Sequence, residues 1–135
     1  MAITKNEGRQ EVIAASIDLA FDTLAADDAT AESVIQVPEG AMVVGGQIVV
    51  TEVFDSTTSD VLDIGDSVDD DEYTATPIDL TSAGATALDI TAYVYTAQDN
   101  IAVEWTAGST GTATQGTATL TVLYVVSGRT AFSEG

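Results

Sequence analysis

Histidine and cysteine are absent from this chain of 135 residues, and lysine and arginine together number three. Without cysteine there are no disulfides and no thiolate metal sites. Without histidine the commonest general base is missing, so nucleophilic triads of the usual make-up are excluded. The cations Lys5, Arg9 and Arg129 lie near the two chain ends, and the stretch from Gln10 to Gly128 has none. A body of that kind repels nucleic acid and anionic membrane. There is no G-x-S-x-G elbow and no G-x-x-x-x-G-K-[ST] loop to cradle a phosphate. The longest apolar runs, such as Val122 to Val126, are too short to span a bilayer. Met1 to Glu11 lacks the apolar stretch of a signal peptide, so synthesis as a soluble cytoplasmic product is expected.

What the chain does have is carboxylate, threonine and alternation. Net charge is −19, and 20 of the 22 acidic residues fall between Gln10 and Gly128. Charge of that size suggests disorder when hydrophobicity is low, but 45% of the residues are apolar. Twenty threonines add to the β-branched content that suits a pleated, half-buried surface. One domain is expected, at residues 11–128, between an extended arm at 1–10 and a tail at 129–135.

Alternation marks the strands. Ile13, Ala15, Ile17, Leu19 and Phe21 share one face of the first, and a short strand at Ser33 to Val37 stops at Pro38-Glu39-Gly40. Ala41 to Phe54 is a long strand whose Gly45-Gly46 pair signals a bulge, a bend or close backbone approach. Val61 to Ile64 follows, then a weak strand around Tyr73 to Leu80 that Pro77 assigns to an edge. Leu88, Ile90, Ala92 and Val94 alternate with Tyr93 and Tyr95, and Ile101, Val103 and Trp105 read as a core-facing row. The last strand carries Ala118, Leu120, Val122 and Tyr124 inward, with Leu123 and Val125 making its end apolar on both faces. About eight short strands without a helix predict an all-β antiparallel β-sandwich of jelly-roll type.

Three constellations could carry function. Asp60, Asp63, Asp66, Asp69, Asp70, Asp71 and Glu72 form an acidic run. Asp63, Asp66, Asp69, Asp70 and Asp71 are its candidate calcium ligands, because calcium takes six to eight oxygens. The spacing is not that of an EF-hand, and a solvated loop that discourages edge-to-edge pairing is the stronger reading, with no cofactor. Tyr93 and Tyr95, paired on one strand face, point to a subunit interface ahead of a ligand site. Lys5 and Arg9 could dock the arm on an acidic groove of a partner.

One segment is informative beyond its periodicity. Residues 37–73 read VPEGAMVVGGQIVVTEVFDSTTSDVLDIGDSVDDDEY and continue into TPIDLTSAGAT. The P-x-G-A-x-V-x-G-G opening, the strand ending in F-D-S-x-T-S-D, the L-D-I-G-D strand and the acidic D-x-x-x-Y stretch resemble tailed-bacteriophage capsid decoration (cement) or head-fibre-type proteins. The likeness covers roughly residues 37–90, and T-A-T-L-T-V-L-Y fits as a closing strand. It implies a non-enzymatic jelly-roll module, often a homotrimer. Such a module sits on the outer surface of the virion capsid and bridges subunits of the major capsid protein. Lys5, Arg9 and Arg129 would then be the candidate capsid contacts, and neither nucleic acid nor membrane is a partner. The alternatives are a carbohydrate- or receptor-binding head of a phage fibre and a neck or tail structural protein.

Overall fold

The computed structural model describes residues 11–24, 31–56, 59–108 and 112–126. Eight strands are present: β1 (Ile13–Ala20), β2 (Glu32–Val37), β3 (Ala41–Glu52), β4 (Asp60–Gly65), β5 (Ile78–Asp79), β6 (Gly84–Ala87), β7 (Asp99–Ala107) and β8 (Thr117–Val126). They form two four-stranded sheets ordered β1-β8-β3-β6 and β2-β7-β4-β5. Every pairing is antiparallel, and β1 pairs β8, β2 pairs β7, β3 pairs β6 and β4 pairs β5. First-with-last pairing, continued inward to the middle of the chain, is the jelly-roll arrangement that the strand count predicts.

The expected alternation builds the core. Ile48, Val50, Leu120 and Val122 from one sheet face Ile64, Leu62, Val103 and Trp105 from the other, all buried. Phe54 meets Trp105 edge-on, with ring centroids 5.2 Å apart at 72°. The Gly45-Gly46 signal resolves into a bulge: the β3–β8 register shifts between Val43 and Gly45. Gly46 has φ of 150°, and a Cβ there would lie 2.6 Å from the Thr121 carbonyl oxygen.

Two expectations fail in the stretch from Gly65 to Asp99. The weak strand at Tyr73 to Leu80 shrinks to Ile78–Asp79, and β6 forms at Gly84–Ala87, where the sequence marks no strand. The strand predicted over 88–95 is an extended connection joined to the sheet by one bridge, Met42 to Val94. Ala92 has φ of 60°, which inverts the alternation. Tyr95 is buried in place of Val94, and upstream of Ala92 the alternation is already lost, with Leu88 buried and Ile90 exposed. Lys5, Arg9 and Arg129, the expected arm at 1–10 and the expected tail at 129–135 lie outside the described residues.

Candidate functional site

Carboxylates are divided unequally between the two sheets. The β1-β8-β3-β6 sheet carries only Asp18 and Glu52 on its strands. The shorter β2-β7-β4-β5 sheet carries Glu32, Asp60, Asp63, Asp79, Asp99 and Glu104. The acidic loop from Asp66 to Glu72 follows directly from β4. A sandwich so divided has one charge-poor outer face and one strongly acidic outer face.

The charge-poor face is built in rows, because directly paired residues on neighbouring strands share a face. Asp18, Thr119, Val49 and Ala85 make one row, and Ser16, Thr121, Gln47 and Ala87 the next. Hydroxyls link the strands: Ser16 Oγ and Thr121 Oγ1 are 2.8 Å apart, and Thr119 Oγ1 donates to Asp18 Oδ1 at 2.9 Å. Beyond them the rows turn apolar. Ala14 pairs Leu123, whose side chain lies over Gly45, 3.4 Å from where a Cβ would be. Val125 then pairs Met42, and Met42 bridges Val94.

On the opposite face Asp63 and Glu104 are directly cross-strand, with the carboxylate of Asp70 acting on both. Burial, then repulsion from Asp70, raises the pKa of Asp63 above the ordinary carboxylate value. Glu104 is raised by the same two causes in the same order. Asp71 is raised chiefly by its side-chain hydrogen bond with Asp69 and then by repulsion from that neighbour. Gly65 lets the loop lie on the sheet: a Cβ there would come within 2.1 Å of the Asp69 carbonyl oxygen. An open cleft of about 590 Å³ runs beside the loop, lined by Ser33, Asp70, Asp99, Asn100 and Glu104 among others. No aromatic side chain lines it, so it offers no stacking platform for a sugar ring.

The candidate calcium ligands separate into three groups. Side-chain oxygens of Asp69, Asp70 and Asp71 lie within 4.8 Å of one another, and all three residues are exposed. Asp66 is 6% exposed and already committed. Its Oδ1 accepts the Val68 and Asp69 amides at 2.9 and 3.0 Å, and its Oδ2 accepts the Tyr95 hydroxyl at 2.9 Å. Asp63 belongs with Glu104 on the sheet. The donor set that fits a cation is therefore three adjacent exposed carboxylates, which leaves water to complete the six to eight oxygens calcium takes.

The tyrosine pair divides as well. Tyr95 is 2% exposed, and its hydroxyl meets that of Tyr73 as well as Asp66. Burial raises the Tyr73 pKa to about 12 and pushes Tyr95 higher still. Tyr95 thus clamps the 88–98 connection to the acidic loop and gives no surface to a partner. Tyr93 is 41% exposed, edge-on to Tyr95 with centroids 4.9 Å apart. Of the two interface candidates only Tyr93 remains available.

Asp60 stands in the acidic run, but nothing in that run signals its burial. It is fully buried, and no lysine or arginine exists between Gln10 and Gly128 to pair with it. Its carboxylate accepts the Ser56 amide at 3.0 Å, the Trp105 indole N–H at 2.9 Å and the Ser56 hydroxyl. Asp60 is structural, and the phase of Trp105 with Ile101 and Val103 was the available sign that a buried indole N–H would need an acceptor.

No family model and no curated protein matches the chain. Solved structures do. A chain in the capsid asymmetric unit of cyanophage Pam1 superposes with a TM-score of 0.67 at 20% identity, over 93% of this chain and 91% of that one. A chain in the acidic stable capsid of Helicobacter pylori bacteriophage KHP30 gives 0.61 at 15% identity, over 85% and 87%. One in the capsid of Ralstonia phage GP4 gives 0.56 at 15%, over 96% and 93%. At such identities the likeness is one of fold. These neighbours lie in phage capsids, the kind of assembly to which the likeness at residues 37–90 points.

Proposed function

We propose that this chain is a non-enzymatic structural protein of a phage virion that decorates the outer surface of the capsid and stabilises it by bridging capsid subunits. The observation that carries the reading is the likeness of nearly the whole sandwich to chains in three phage capsids. The division of charge supports it, since a particle coated by acidic faces resists sticking to its neighbours. The charge-poor face supplies apolar area for contact, worth about 25 cal/mol per Å² buried. On this reading the assembly is a homotrimer held against the major capsid protein, with Lys5, Arg9 and Arg129 as cationic contacts at the chain ends. Neither nucleic acid nor membrane takes part, and no calcium is required.

The test is made on virions. Quantitative mass spectrometry of purified particles should find hundreds of copies, and particles lacking the protein should release DNA at a lower temperature. About a dozen copies would indicate a neck position. Unchanged heat resistance in its absence would remove the stabilising role.

A further inference from the structure

We infer that the acidic cleft on the β2-β7-β4-β5 sheet is the docking site of this chain's own residues 1–10, which bring Lys5 and Arg9 to its carboxylates. The inference goes beyond the capsid reading, because it concerns the chain with nothing else bound. A shell contact by the same two cations then requires them to leave the cleft.

The cleft suits an extended segment. Ser33 and Gly65 pair Ala102 from either side, so nothing bulky rises from the floor. The acidic loop crosses over Gly65 and makes one wall. Its Val68, 85% exposed, is an apolar lip on which the stem of a lysine or arginine can lie. Carboxylates stand at two levels: Asp99 at the start of β7, and Glu104 five residues on, with Asp63 and Asp70 acting on it. Five residues of strand span about 17 Å. Lys5 and Arg9 are four residues apart, a spacing that puts two side chains on one side of an extended chain, about 13 Å from each other. No lysine or arginine occurs among the described residues, so these carboxylates have no cationic partner there.

Charge, position and length select the occupant. Residues 1–10 carry Lys5 and Arg9 against Glu7, whereas the tail at 129–135 sets Arg129 against Glu134 and has no net charge. Ile13 pairs Tyr124, and Tyr124 pairs Val43 near the start of β3. Pro38 to Gly40 join that start to Val37, and Val37 pairs Asp99. β1 therefore begins at the end of the sandwich where Asp99 borders the cleft. The edge strands β1 and β2 also lie against each other. Sheets pack about 10 Å apart and two strands add about 10 Å, so the path from Ile13 to the cleft is roughly 20 Å. The twelve residues before Ile13 reach about 40 Å when extended. A segment tethered so close meets the cleft at high effective concentration, an advantage no separate cationic partner shares.

The absence of cysteine makes the test clean. A nitroxide attached through Ala2→Cys, on the isotopically labelled full chain, should erase the amide signals of Ser33, Asn100 and Ala102. Those of Ser16 and Thr119, on the far sheet, should keep their intensity. Molar sodium chloride should restore the lost signals, because it screens exposed ion pairs. Lys5→Glu with Arg9→Glu should restore them too, as should Asp70→Asn with Glu104→Gln. Intact cleft signals, equal loss on both sheets, or loss that survives the charge reversal would each overturn the docking. Loss that persists when nitroxide and isotope are on different chains would place the segment in a second copy, and would overturn docking within one chain.

Discussion

Replacing Asp60 by alanine should destabilise the protein more than any other single carboxylate change. The side chain is fully buried and accepts from the Ser56 amide, the Ser56 hydroxyl and the Trp105 indole. Hydrogen bonds to a charged acceptor contribute about 1.5–3 kcal/mol each, and a buried donor left unpaired costs about 1–3 kcal/mol. Trp105 is 2% exposed, so its N–H has no water to turn to once the acceptor is gone. Non-additivity within one network holds the expected loss for Asp60→Ala to about 3–5 kcal/mol, a large part of a domain's total stability. Asp60→Asn keeps one acceptor oxygen but sets an amide donor against a donor, and should lose about 1–3 kcal/mol. Trp105 is the only tryptophan, so urea unfolding followed by its emission reports from the site itself. A double-mutant cycle with Trp105→Phe, followed by circular dichroism, should give a coupling of about 1.5–3 kcal/mol. A loss below about 1 kcal/mol for Asp60→Ala, or a coupling near zero, would refute the account.

Stability should peak in mild acid. Asp63, Glu104 and Asp71 have raised pKa values, so their contribution is fully present below the ordinary carboxylate pKa and is lost as pH rises through the raised folded values. Asp55 and Asp79 are held low by hydrogen bonds from Thr114 and Thr81, and their contribution is lost as pH falls through those lowered values. Urea midpoints should therefore rise from pH 7 to about 4–5 and fall below it. A steady decline from pH 7 downward would contradict this. Melting temperature should climb with sodium chloride toward molar concentration, because salt screens the −19 charge; a flat response would refute that. Gly65→Ala should cost more than 2 kcal/mol in chemical denaturation, since its Cβ meets backbone of Asp69 and Asp70 rather than a movable side chain. Calcium should shift the melting point no more than magnesium at equal ionic strength; a saturable calcium-specific shift that Asp70→Asn removes would establish a site at Asp69–Asp71.

Much of the fold was legible because a two-residue period survives wherever a strand buries only one face. The rows of β1, β7 and β8, and the core position of Trp105, follow from that period alone. It failed over 88–95, where Ala92 at positive φ reverses the phase and buries Tyr95 in place of Val94. Nothing in an alanine announces that conformation. β6 was hidden for a different reason: Gly84–Ala87 is exposed throughout and is held by its pairing with β3, not by a buried row. The acidic run was visible as a run, but composition could not tell a buried acceptor from a solvated carboxylate. Asp60 and Asp66 are fixed by donors distant in sequence, Trp105 and Tyr95. The uneven division of carboxylates between sheets was present in the sequence too, yet it became readable only once the strand order assigned each strand to a sheet.

That strand order also governs the order of manufacture. β8 lies between β1 and β3, so neither has its full set of partners until residue 126 has been made. A ribosome releases the first strand long before the one that completes its sheet, and β1 must wait with an uncovered edge. Long-range closure of this kind folds slowly, and the waiting strand risks pairing with a neighbouring chain. Its Asp18, which accepts from Thr119 only once β8 is in place, is well placed to discourage such pairing in the interval. Deleting β8 would undo the whole sheet, whereas trimming β6 would remove only its rim.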